Sequence, residues 1–273
     1  APSNLFLLRL GGFFQGSFNG QFFSEELVHA GGTMGESVST FQLRRARLEL
    51  QGHVISKIMK YRLAFEFGTE DPGPVLEAYG DLKIFKPLQL RFGRQKIPFS
   101  RQFLVHSAYQ HFTERSEVVR AFAPGWDLGL VLHGEVDWLG PVTYQFGIFN
   151  GAGTNATVDD NTDFLYSARM VYEPLGKIPM SEGDSLRSWA ISMGGSFAYN
   201  LCPTDLHLRQ GETDSKKAAA LRDSDADGNV DNVGVFLAGA ELTARISILL
   251  WHSEFFYRLE DPGAVGPGRD FWG

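Results

Sequence analysis

Between Phe41 and Gly68 hydrophobic and polar residues alternate, in the run FQLRRARLELQG, a short HVISK turn and IMKYRLAFEFG. Arg45, Arg47, Glu49 and Gln51 share one face of the first arm, with Ala46, Leu48 and Leu50 on the other. In the second arm Lys60, Arg62 and Glu66 oppose Met59, Tyr61, Leu63, Phe65 and Phe67. Successive side chains of a strand point to opposite faces, so this stretch predicts a hairpin that is charged on one side and apolar on the other. A soluble sandwich shows the same alternation with its apolar face inward, so the hairpin alone decides nothing.

The recurrence of the pattern decides more. Alternating runs predict strands over 4–19, 38–52, 57–68, 75–86, 88–97, 126–136, 141–150, 163–174, 186–200, 232–246 and 248–259. A strand crossing a bilayer needs roughly 9–11 residues at a tilt of about 45°, and most of these runs qualify. Their connectors alternate in size. Short ones fall at 53–56, at Pro87, at 137–140 and at Ile246–Ser247, with a medium one at 175–185. Long or polar ones fall at 20–37, 69–74, 98–125, 151–162 and 201–231. Short turns at one rim and long loops at the other mark an outer-membrane barrel, the short side being periplasmic; a sandwich has no reason to sort its loops. The expected fold is therefore all-β, an antiparallel transmembrane β-barrel forming a single domain over 1–273, with about eleven strands in this segment. An odd count would leave an edge open in lipid. The loop LEDPGAVGPGRD then hands over at Phe271-Trp272-Gly273 to what reads as another strand, so either C-terminal strands lie beyond the segment or the count is short by one.

The remaining strands sort their faces in the same way. Trp126, Leu128, Leu130 and Leu132 stand against Asp127, Gly129, His133 and Glu135; Val142, Tyr144, Phe146 and Ile148 against Thr143, Gln145 and Gly147. Over 186–200, Trp189, Ile191, Met193, Phe197 and Tyr199 oppose Ala190, Ser192, Gly194, Ser196 and Asn200. The second set on each strand is small, polar or charged, as a water-filled lumen requires, and Trp126, Tyr172, Trp189 and Tyr199 fit aromatic girdles at the lipid interface. Composition agrees: 31 Gly and 23 Phe suit many strands and tight turns. No apolar run approaches the length of a membrane-spanning helix, ISILLW at 246–251 being among the longest. A net charge of −7 argues against nucleic acid as partner, and the lone Cys202 excludes an internal disulfide framework and CxxC metal or redox chemistry. Ala1-Pro2 opens the chain without a basic segment and apolar core, so no signal peptide is evident.

Three ordered motifs carry a family resemblance. Gly93, Arg94, Lys96, Pro98, Phe99 and Ser100 are followed by Glu114, Arg115 and Ser116, and then by Pro124, Gly125, Asp127 and Gly129. Over residues 90–134 this resembles the phosphate-selective porin O/P family, and RRARLELQG and FGIFNGAG at 146–153 look like family segments too. The likeness covers about 38–174 well and the rest by pattern. It implies a sixteen-stranded, homotrimeric porin in the bacterial outer membrane, embedded in the lipid bilayer and passing small anions such as phosphate. It also implies that loop 98–125 folds inward as the constriction.

That loop is too long for a hairpin connection, which points to function. It holds Arg101, Arg115 and Arg120, with His106 and His111, and Arg94 and Lys96 lie at its root. Rings of Arg and Lys make anion pores: guanidinium pairs with phosphate in a bidentate fork, and ammonium acts as a point charge. Arg94, Lys96, Arg101, Arg115 and Arg120 are thus the candidate constriction, with Arg45, Arg47, Lys60, Arg62 and Arg91 lining the lumen. The bland reading is that Glu49, Glu66, Glu77, Asp81, Asp127, Glu135 and Glu241 offset these cations, and that Arg115 beside Glu114 pins the loop through an ion pair. Asp223, Asp225, Asp227, Asn229 and Asp231, in the long extracellular loop 201–231, match the first nine positions of a calcium loop. Gly234 stands where the bidentate Glu belongs, so the acidic stretch is a calcium candidate or a solvated loop. Gly35-Glu36-Ser37-Val38-Ser39 lacks the last Gly of a nucleophile elbow, and the His are dispersed, so no catalytic site is expected. The functional expectation is a passive porin with anion preference and no required cofactor. A general non-selective porin, or a structural barrel within a larger envelope assembly, is the alternative.

Overall fold

The computed structural model describes residues 5–21, 38–55, 57–68, 75–137, 140–151, 163–182, 189–202, 233–247, 249–261 and 269–272. Twelve antiparallel strands follow one another in a single sheet, each hydrogen-bonded to the next in chain order. They are β1 (Phe6–Gln21), β2 (Val38–Val54), β3 (Met59–Glu66), β4 (Val75–Lys83), β5 (Gln89–Lys96), β6 (Trp126–Asp137), β7 (Pro141–Phe149), β8 (Leu165–Tyr172), β9 (Ala190–Cys202), β10 (Val233–Ile246), β11 (Leu249–Asp261) and β12 (Arg269–Trp272). The first eleven coincide with the strands expected from alternation. The twelfth corrects the count: four residues after the LEDPGAVGPGRD segment pair with Tyr257–Glu260. Among the described residues no helix is long and apolar enough to cross a membrane.

The two-residue period decides which face each side chain takes. On β6, Leu128, Leu130 and Leu132 are 43%, 39% and 37% exposed, while Val131 between them is 1% exposed. On β8, Leu165, Ser167, Arg169 and Val171 are buried and Tyr166 and Met170 are exposed. The outer face is thus a continuous belt of large apolar side chains, and the other face looks onto the segment between β5 and β6. Turn tips at Ile55 and Ser247 take positive φ (54° and 59°), the left-handed conformation that lets so short a connection reverse.

Four residues of that intervening segment measure how far the sheet curls. Gln102 donates its backbone N–H to Glu254 on β11, and His106 pairs with Glu49 on β2. In a flat sheet, β2 and β11 would lie about 43 Å apart, nine steps of about 4.8 Å. The chain from residue 102 to 106 spans at most about 14 Å, so even with two side chains added the β2 and β11 walls must have rolled toward each other. The sheet is a barrel wall enclosing its longest described loop.

Two sequence expectations change here. Trp126 is no girdle residue: it is 1% exposed and meets Phe103 edge-on at 4.8 Å. Nor is the inner face wholly small and polar. Phe99, Phe103 and Val119 of the loop pack with Phe149, Leu165, Val235, Leu237 and Phe256 of the wall, so part of the lumen is a dry apolar core.

Candidate functional site

The loop at 98–125 is pinched at its base by the Ile97 N–H donating to Gly125 O at 3.0 Å. It then forms α1 (Arg101–Leu104), a 3₁₀ turn (Ser107–Tyr109) and α2 (Glu117–Phe122). Ser100 and Ser116 start the two helices, each hydroxyl accepting from the N–H three residues on, at 3.1 and 3.2 Å. Against β10 and β11 the loop is held by stacking, with Phe256 5.6 Å from Phe99 and 5.8 Å from Phe122.

Against β1 and β2 it is held by charge. Glu114 takes Arg44 Nε at 2.8 Å and Arg45 Nη2 at 3.1 Å, and Arg45 also donates to Thr113 O at 2.5 Å. Arg47 pairs with Glu66 at 2.5 Å and reaches Ser107 Oγ at 3.0 Å. The Glu114 carboxyl sits below its ordinary range: partial burial would raise it, but the hydrogen bond from Arg44 and the charge of Arg45 outweigh that. A third attachment comes from the segment after β8. The Glu182 N–H donates to Tyr109 O at 3.0 Å, its carboxylate accepts from His111 N at 2.7 Å, and Arg101 Nη2 donates to Pro179 O at 2.7 Å. Burial, opposed by the charge of Glu241, pushes the Arg101 guanidinium below its ordinary value.

The candidate constriction cations occupy distinct places. Lys96 is enclosed, donating to the carbonyls of Phe103, Leu104 and Val105 at 2.8, 3.2 and 2.9 Å. Arg115 lies over the rings of Phe103 and Trp126, at 4.9 and 5.8 Å. Both stitch the loop to itself and to β6. Arg120 pairs with Glu117 at 3.1 Å on α2. Arg94 is half-buried on β5, in register with Ala78 and Leu128. The pinning foreseen for Glu114 and Arg115 is divided: Glu114 reaches the wall through Arg44 and Arg45, and Arg115 acts through ring faces.

All five candidate lumen cations are on the loop-bearing side. Arg45 and Arg47 are buried in the attachments above. Arg62 lies between Glu49 at 3.2 Å and Glu77 at 2.7 Å, and Arg91 pairs with Asp81 at 2.8 Å. Beside the loop, a cavity of about 150 Å³ is bounded by Arg62, Glu77, Tyr79, Arg91, Gln95 and Lys96. A wider basin of about 510 Å³ continues from it along β1–β5 to the short β2–β3 turn, sharing Arg62, Tyr79 and Arg91 and adding Arg9, Lys57 and Lys60. Those last three are exposed, and among the described residues none has a carboxylate within ion-pair distance.

Sequence reading missed Glu254, Glu182 and Arg44 as loop anchors, and Leu165, Val235, Leu237 and Phe256 as the apolar seat. The available signal was a second set of large apolar residues on the polar parity of β8, β10 and β11. The calcium candidate, Asp223 to Asp231, lies outside the described residues.

An apolar outer belt, a charged inner face and a loop folded across the interior define a barrel of the outer-membrane channel class. The sequence matches the phosphate-selective porin O and P family over residues 28–183, more than half of its 273 residues. The chain belongs to that family and is a bacterial outer-membrane porin, a channel rather than an enzyme. No curated protein matches it in sequence. Among solved structures it is similar to OmpTdeltaL8, a loop L8 deletion mutant of OmpT, an outer membrane protein of Vibrio cholerae, at 10% identity and a TM-score of 0.42. That likeness covers 97% of this chain and 85% of the other.

Proposed function

We propose that this porin favours anions, inorganic phosphate among them, and that the preference arises on the β1–β5 side of the lumen rather than in the loop. The observation that carries the reading is the basin at the β2–β3 turn, where Arg9, Lys57 and Lys60 stand exposed without carboxylate partners. Arg62 and Arg91 add little net field, because Glu49, Glu77 and Asp81 sit against them. At physiological salt, charges are screened beyond about 8 Å, so the three unpaired cations act on ions inside the basin and hardly outside it. Lys supplies point charges that hold an oxyanion loosely, as conduction requires. The short-turn rim is the periplasmic one in barrels of this kind, so the basin would favour anions at the exit.

The test is chloride current through single channels, with inorganic phosphate added to the turn side. Phosphate is expected to reduce chloride current in the wild type and to have a weaker effect in an Arg9→Gln, Lys57→Gln, Lys60→Gln variant. Equal phosphate sensitivity in the two channels would refute the assignment. The pairing of Arg47, Arg62 and Arg91 with carboxylates favours a second reading, a general non-selective porin. A wild-type current indifferent to phosphate and to the sign of the ion would select it.

A further inference from the structure

Stacking of Phe99 and Phe122 on Phe256 keeps the loop against the wall, but apolar contact is non-directional and leaves the loop free to slide. Direction comes from Glu254, whose side chain points inward from β11. Its carboxylate accepts from Ser100 Oγ at 2.8 Å, from Arg101 N at 2.5 Å and from Gln102 N at 3.2 Å. The two N–H groups belong to the start of α1, where a helix has no internal acceptor for them. Hydrogen bonds to an ionised acceptor are roughly twice as strong as neutral ones, and three of them meet here on one side chain. At the far end of the same loop, Glu114 grips Arg44 and Arg45 on β2. The loop is therefore a beam fixed at two opposite walls.

We propose that Glu254 is a positioning residue of the pore: it sets the height and tilt of the loop and hence the bore left beside it, without facing the β1–β5 basin. The inference requires only that the lumen conducts and is independent of which ion is preferred.

The test uses the full chain in planar bilayers and vesicles, comparing wild type with Glu254→Gln, which keeps shape but removes charge, and with Glu254→Asp. Cys202→Ser clears the background for a nitroxide at Ala108 on the loop, or at Gln51 on the β2 wall as a control. Glu254→Gln is expected to raise single-channel conductance on the order of twofold, since a constriction dominates passage, with added open-channel noise. A mobile spectral component should develop at Ala108 and not at Gln51, and Glu254→Asp should recover part of the wild-type behaviour. Wild-type conductance, noise and label mobility in Glu254→Gln would overturn the proposal. Should that variant fail to insert, Ser100→Ala removes one of the three bonds and keeps the charge; an unchanged label spectrum there would overturn it equally. Mobility changes in a channel found to prefer cations would sink the anion reading and leave this one standing.

Discussion

Truncating Phe256 to Ala separates the stability of the barrel from the docking of its loop. Phe256 is 2% exposed and sandwiched between Phe99 and Phe122. A buried Phe→Ala change costs about 3–5 kcal/mol in a packed interior. At about 1.4 kcal/mol per factor of ten, that is roughly two to three and a half decades in the equilibrium it acts on. The structure says which equilibrium bears the cost. β11 keeps its ladder to β10 from Gly234↔Asp261 to Ile246↔Leu249, and its outward neighbours Phe255 and Leu259 still face lipid. The lost contacts are those with the loop. Hydrogen exchange of peptides within 101–122, read by mass spectrometry in lipid, is expected to accelerate by about 100-fold or more, while exchange in β10 and β11 stays at wild-type rates. A loop as protected as the wild type's, with the loss appearing as earlier melting of the whole barrel, would refute the division.

Acid should release the loop at its β2 end. The Glu114 carboxyl is held below its ordinary value by Arg44 and Arg45, so its contribution is complete above about pH 4.3, the usual glutamate value, and is lost as pH falls through the lowered one. Single-channel noise is expected to rise on acidification below that range, and Glu114→Gln should be noisy at neutral pH with a diminished acid step. On the outer face, Leu130→Arg is expected to cost about 2–4 kcal/mol if it lies at bilayer mid-depth. Gln51→Arg on the lumen face should fall within about 0.5 kcal/mol of wild type; urea titration of folded barrel in vesicles compares the two. Gly93 has φ of 129°, and a Cβ there would collide with the carbonyl of Ala78 and with Tyr79. Gly93→Ala should therefore break the β4–β5 ladder and lower the yield of folded barrel on semi-native gels.

What could be read in the sequence was what is local. The alternation of Arg45, Arg47 and Glu49 with Ala46, Leu48 and Leu50 depends only on backbone geometry, and eleven strands followed from such runs. β12 escaped because its four residues are too few to display a period. Trp126 shares the parity of Leu128 and Leu130, yet a partner from the loop, Phe103, covers it. Phe256 and Leu237 look inward against the polar rule for the same reason. The loop itself was legible by its length, and its cations by type, but not their partners: Lys96 is satisfied by three backbone carbonyls and Arg115 by two ring faces. Neither partner leaves a mark in a one-dimensional pattern. Glu254 meets Arg101 across 153 residues of chain, a contact that exists only because the sheet curls.

The most direct measurement is the reversal potential of single channels in a planar bilayer under a KCl gradient. A water-filled lumen biased by Arg9, Lys57 and Lys60 predicts discrete conductance steps and a reversal potential displaced toward that of chloride. Absence of conductance would contradict the channel, and displacement toward the potassium potential would contradict the basic exit basin.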